Sequence, residues 1–117
     1  MSVLDNAKSH FADKATGDLK KITVPEWKCD IYFKPINSFA IESKVIELTQ
    51  KGKTVEALIE TLILKALNAD GKPMFNKFDK LALMNEVDPG IITRIVTEIN
   101  STDLVEYEAV EKNSDRT

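Results

Sequence analysis

The sequence predicts an α+β fold that is predominantly helical, with a small two-stranded β-unit near the N-terminus. Three observations carry this. Apolar residues recur at helical spacing over residues 54–68 and again over 89–100. Residues 19–33 switch to β-branched and aromatic composition, LKKITV and then WKCDIYF around Pro25 and Glu26. A length of 117 residues with 43% hydrophobic and 30% charged side chains suits one globular domain and is too short for two. The reading is one domain over residues 1–100 followed by a partly helical to disordered acidic tail over 101–117.

Residues 2–15 place Leu4, Ala7 and Phe11 three and four apart, which predicts a short amphipathic helix ending before Gly17. In the second β-run Trp27, Cys29, Ile31 and Phe33 alternate with Lys28, Asp30 and Tyr32, giving one apolar face, and Lys34 and Pro35 close it. Ser38 is the expected N-cap of a helix running to about Gln50, carrying Ile41, Val45 and Leu48 on one stripe and stopped by Gly52.

The next helix is expected from Thr54 to about Asn68. Val55, Leu58, Ile59, Leu62 and Ala66 form its core stripe, while Glu56, Glu60, Ile63 and Leu67 share a second strip that turns from polar to apolar halfway along. Its C-terminal half is therefore apolar nearly all round, which requires either burial or a partner surface. A turn follows at Asp70 and Gly71, with Gly71 taking positive φ and Pro73 preventing helix continuation. Asp79 is the expected cap of a short helix through Lys80, Leu81, Leu83 and Met84. Asp88 as N-cap and Pro89 at the first helical position then open the helix GIITRIVTEIN, whose core face is Ile91, Ile92, Ile95, Val96 and Ile99.

The chain carries no chemistry that its residues would need for catalysis. His10 is the only histidine and Cys29 the only cysteine, so neither a metal set nor an internal disulfide is available, and Cys29 reads as a small core hydrophobe. The stretch NADGKPMFNKFDK fails as a calcium loop, because Gly71 at the sixth position puts Ala66 first and Lys77 twelfth, where carboxylates are required. There is no glycine-rich phosphate loop and no HExxH or GxSxG arrangement. An enzyme and a bound cofactor are not expected.

The net charge of -3 leaves no basic footprint for nucleic acid, and Glu26 and Asp30 oppose phosphate approach to the aromatic and lysine residues around Trp27. Residues 1–53 hold nine Lys/Arg against seven Asp/Glu and residues 54–117 hold seven against twelve, an asymmetry compatible with head-to-tail self-association. The most apolar stretch contains Glu60 and Lys65 and falls short of a membrane span, and Asp5 and Lys8 interrupt any signal-like run, so a cytoplasmic location is the expectation.

The order of segments VLDNAKSHF, LKKITVPEWKCDIYFKPIN and QKGKTVEALIETLILKALNADGKPMFNKFDKLALMNEVDPGIITRIVTEIN resembles the tail assembly chaperones of lambda-like siphophages over about residues 1–100. The VPEW to IYFKP unit, the DGKPMF turn after a long helix and the closing DPGIITRIV helix carry the likeness. The resemblance implies a non-catalytic protein of the host cytoplasm that coats the tape measure protein, helps recruit the major tail protein, and is absent from the mature virion. In such phages a frameshift often makes a longer second product; Glu111, Lys112 and Asn113 would mark it if their codons read GAA AAA AAC. The partner-binding residues expected from periodicity are Ile63, Leu67, Phe75 and Phe78. The alternatives are a structural virion protein, such as a tail terminator or head-tail joining protein, and a DNA-binding regulator using the last helix, where Arg94 alone is basic.

Overall fold

Helix α1, Val3–Ala15, leads into the antiparallel strands β1, Lys20–Val24, and β2, Cys29–Phe33, which are followed by α2, Phe39–Gln50, α3, Thr54–Lys65, α4, Lys80–Asn85, and α5 over residues 89–101. The computed structural model describes residues 2–101, so the tail expected over 101–117 and the frameshift marker at Glu111 to Asn113 lie outside the described residues, apart from Ser101. The architecture is α+β and mostly helical, with the two strands near the N-terminus as the sequence predicts.

The hairpin register pairs Ile22 with Ile31 and Val24 with Cys29, so Ile22, Val24, Ile31 and Phe33 all point inward and are buried. Trp27 departs from the expected alternation. It sits in a 3₁₀ turn, Pro25–Trp27, and Lys28 takes a left-handed conformation at φ 54° that turns the chain before β2 begins. Its indole still packs inward, edge-on to Phe75 with ring centroids 6.3 Å apart.

Helix α2 starts at Ser38, whose backbone is extended as a cap requires although its hydroxyl caps nothing, and stops at Gly52, where φ is +76° and the Lys53 amide reaches back to the Leu48 carbonyl. No residue of α2 is fully buried. Helix α3 takes the central place instead. Ile59, Leu62, Ile63 and Ala66 join Ile22, Val24, Ile31 and Phe33 from the hairpin, Leu83 from α4, and Ile91, Ile92, Ile95, Val96 and Ile99 from α5 in one core. The five residues expected on the inner face of α5 are the five found there.

The expected stripe of α3 is displaced at one edge. Val55 is 60% exposed, whereas Ala57 and Thr61 are buried. Ala57, Thr61 and Lys65 stand one turn apart and share one face of the helix; Ala57 and Thr61 line a small cleft with Val45 and Thr49 of α2. The Thr61 hydroxyl donates to the Ala57 carbonyl at 2.8 Å, so the strip buries a polar atom already satisfied. At its end Lys65, only 3% exposed, meets Glu42 of α2 at 2.7 Å. Glu42 lies in the first turn of α2 and Lys65 in the last turn of α3, so each charge also suits its helix dipole.

Helix α3 ends at Lys65, three residues short of the expected Asn68, because Ala66 turns extended and Leu67 joins the sheet. The Leu67 amide donates to the Tyr32 carbonyl at 2.7 Å and the Tyr32 amide returns a bond to the Leu67 carbonyl at 2.9 Å. The Asn68 side chain then accepts from the Asp70 and Lys72 amides, Gly71 takes φ +80°, and Met74 returns to the Ala66 carbonyl. The turn is present at Asp70 and Gly71 as expected, and only the helix before it ends earlier than periodicity places it. Asp79 holds the N-cap position of α4 as expected, but its carboxylate makes no capping bond to that helix and accepts from the Asn76 amide instead. Asn76 is the N-cap of a 3₁₀ turn, Lys77–Asp79, and Asp79 is the reciprocal partner of its capping box, from which α4 continues. Asp88 and Pro89 open α5 as read, with the Asp88 carboxylate accepting from the Gly90 amide at 2.8 Å.

The buried ion pair yields a stability prediction. Glu42→Ala strands the Lys65 ammonium in the core and costs about 3 kcal/mol, whereas Lys65→Met leaves a carboxylate that reaches water and costs about 1 kcal/mol or less. Urea denaturation of both variants checks the order, and a larger loss in Lys65→Met contradicts it.

Candidate partner-binding surfaces

Among the described residues, apolar side chains that the core does not absorb lie on α2, at Phe39 and Ile46, and in two larger regions. The first surrounds α4. Its six residues bury Leu83 alone, and Leu81, Met84 and the preceding Phe78 are exposed, Phe78 at 83%. Between α3, α4 and α5 these segments leave an apolar groove of about 170 Å³ lined by Val55, Leu58, Leu83, Met84, Pro89 and Ile92. Glu56 faces Lys80 across α3 and α4 at 3.8 Å, and Lys77 lies 5.3 Å from the Phe78 ring centroid.

The second region is α1. It carries a capping box between Ser2 and Asp5 and a terminal bond from the Thr16 hydroxyl to the Ala12 carbonyl, yet it buries no residue. Val3 and Leu4 are 84% and 62% exposed. Only toward its inner end does the stripe approach the body, where Phe11 lines a cleft with Ile36, Phe39 and Glu42. A helix of 13 residues held by its caps alone is marginal in water, so α1 has helical geometry without tertiary cover for its apolar face.

The four residues expected to bind a partner are divided by the fold. Phe78 is exposed in the first region, and Phe75 is half-buried against Trp27. Ile63 and Leu67 are buried, Ile63 in the central cluster and Leu67 through its bridge to β2, so the apolar strip that opened the choice between core and surface is taken by the domain itself. Leu81, Met84 and Val55 are the exposed side chains that periodicity missed, since each stands where an ordinary core position would.

The electrostatics of α5 bear on the nucleic-acid alternative. Arg94 donates two hydrogen bonds to Glu26, at 2.7 and 2.9 Å, tying the hairpin turn to α5. This engagement occupies the cation that a recognition helix would need, and holds the Glu26 carboxyl down at about 2. Burial and the neighbouring Asp30 push the Cys29 thiol up, which opposes thiolate chemistry. Among the described residues no three His, Cys, Asp or Glu side chains are grouped to hold a metal ion, and no helix is long and apolar enough to cross a membrane.

No family profile and no curated protein sequence matches the chain. Among solved structures it superposes on the tail assembly chaperone of bacteriophage HK97 with a TM-score of 0.59 and 16% sequence identity, over 83% of this chain and 98% of that one. At that identity the likeness is one of fold.

The placement of these side chains gives two expectations. Leu67→Glu buries a carboxylate beside β2 and costs about 4 kcal/mol or more, abolishing the cooperative melt, while Phe78→Glu stays within about 0.5 kcal/mol of the parent; circular dichroism melts decide both. Glu26 has a folded pKa of about 2 against an ordinary 4.5, so its contribution is complete above pH 4.5 and is lost as the pH falls towards 2. The stability gap between the parent chain and Arg94→Met, measured by denaturation at a series of pH values, therefore narrows across that window; a gap unchanged down to its lower end rejects the assignment.

Proposed function

We propose that this chain is a tail assembly chaperone of a long-tailed, lambda-like phage. It binds the tape measure protein in the host cytoplasm, keeps it soluble, helps recruit the major tail protein, and is left out of the finished virion. The fold it shares with the HK97 chaperone, across nearly the whole of that chain, is the observation that carries the reading. The segment order recognised in the sequence, VPEW to IYFKP, DGKPMF and DPGIITRIV, is independent support.

The α4 region has the physical character this work demands. Phe78, Leu81 and Met84 offer apolar contact without being enclosed, and an unbranched Met side chain adapts to varied helical partners. Each such contact is weak, and repetition along a long partner multiplies it through avidity while leaving each unit displaceable. Phe75 backs this surface by fixing Trp27 and the approach of the chain to Phe78. Leu67 serves it from beneath, its bridges to Tyr32 and Pro73 holding the loop that carries Phe75 against the sheet, and Ile63 packs in the core below. A longer product, made by frameshifting near Lys112, supplies the contact to the major tail protein.

Co-expression with the tape measure protein tests the proposal. The tape measure protein is expected to remain soluble and to co-purify with this chain, and Phe78→Glu is expected to keep its fold while weakening that association about tenfold or more. A tape measure protein that aggregates equally with and without the chain rejects the reading. Stoichiometric amounts of the chain in purified virions reject it in favour of a structural tail protein.

A further inference from the structure

We propose that residues 102–110, which follow α5, fold back over the cleft between α2, α3 and the end of α5 in the same chain and strap α2 to the body. The cleft opens beside Ser101, where the described chain ends. Val96 and Asn100 from the last turns of α5 line it with Val45 and Thr49 of α2 and Ala57 and Leu58 of α3, around a space of about 90 Å³. Its floor, Val45, Ala57, Leu58 and Val96, is apolar. Helix α2 buries none of its residues, and Ile46, next to Val45, is 46% exposed, so this side of the fold lacks cover.

The segment TDLVEYEAV matches the cleft in reach, polarity and charge. Leu104 follows Asn100 by four residues and so stands within about 14 Å of a residue that itself lines the cleft. Leu104, Val105, Tyr107 and Val110 supply apolar side chains for the floor, while Asp103, Glu106 and Glu108 are unaccompanied by any basic residue. The rim they meet is positive. Lys44 and Lys53, next in the chain to the lining residues Val45 and Thr54, are exposed and pair with no carboxylate among the described residues, and Glu47 is already taken by Lys51. Helix α3 also begins there, at Lys53, with no side chain bonded to its first amides, which adds the positive end of a helix dipole.

The occupant is the chain's own segment because of where that segment starts. Tethered at Ser101, it meets its own cleft at an effective concentration that another molecule does not reach. No side chain of α4 lines the cleft, so the strap and the surface around Phe78 are separate, and the inference does not rest on the proposed function.

Cysteine pairing in the full chain tests this. In a Cys29→Ala background, Thr49→Cys with Leu104→Cys is expected to form an internal disulfide under oxidised glutathione about tenfold or more faster than Glu86→Cys, beyond the opposite end of α5, with the same Leu104→Cys. Lys44→Glu with Lys53→Glu is expected to slow the Thr49 pairing about threefold or more, and Glu106→Lys with Glu108→Lys in the same chain to restore it. Without any cysteine change, Leu104→Glu with Val105→Glu is expected to leave the fold intact by circular dichroism while the amides from Val45 to Thr49 exchange with solvent about tenfold or more faster. Equal pairing rates from Thr49 and Glu86, a pairing indifferent to both charge reversals, or unchanged exchange in α2 overturns the inference. A disulfide that forms as fast in a mixture of the two single-cysteine chains as in the double variant places the segment on a neighbouring copy and overturns it as well. No tail protein enters these measurements, so their failure leaves the chaperone reading standing.

Discussion

Everything else in this domain is arranged around the enclosure of the C-terminal half of α3. Between Thr61 and Leu67 the chain is buried at every position except Leu64, and the neighbours that achieve this come from all parts of the sequence: the hairpin, α2, α4 and α5. The burial is possible because its one charge is matched. Lys65 in a core would be prohibitive alone, and the Glu42 carboxylate at 2.7 Å, itself still in touch with water, makes it tolerable. That pair also fixes how α2 lies, since its first turn must stay over the last turn of α3. A helix that must accommodate neighbours on every side leaves little freedom in where they go.

The extended step after α3 follows from the same constraint. Continuing the helix past Lys65 would leave the edge of β2 without partners near Tyr32, and pairing Leu67 with Tyr32 closes it with two backbone hydrogen bonds. The local sequence cannot show this. Ala66, Leu67 and Asn68 are compatible with a helix by propensity, and what ends it is a strand more than thirty residues earlier in the chain. The same kind of distance hides the α2 contact: Ala57 and Thr61 look like ordinary helix-surface residues until Lys65 is seen to follow them on the same strip and find Glu42.

Where the deciding contacts are local, the sequence speaks clearly. Asp88 and Pro89 announce α5 through a capping bond two residues long, and the inner face of that helix is legible to the residue because five β-branched side chains repeat at one period. Gly52 and Gly71 are found where positive φ is needed. The candidate binding surface was legible only at Phe78. Ile63 and Leu67 belong to a strip whose fate, core or partner, depends on what the rest of the chain covers, and periodicity is blind to that. Leu81, Met84 and Val55 were hidden by the converse error, apolar residues at helical spacing that the domain leaves in water.

The two segments carrying this surplus share a construction. In α1 a capping box joins Ser2 and Asp5, and ahead of α4 another joins Asn76 and Asp79, while neither helix buries more than one residue. Short helices that expose apolar side chains have no hydrophobic reason to hold their shape, so the shape is set by polar bonds within three residues of each helix start. Such bonds are made within the chain itself and need no partner to form. At α4, where Leu83 also anchors the helix in the core, a surface built this way spends little conformational entropy on docking. The reversible attachment to a long partner proposed for this chain needs that combination more than it needs tight contact, and a deeper groove or a larger apolar patch would oppose such attachment by making each contact too slow to break.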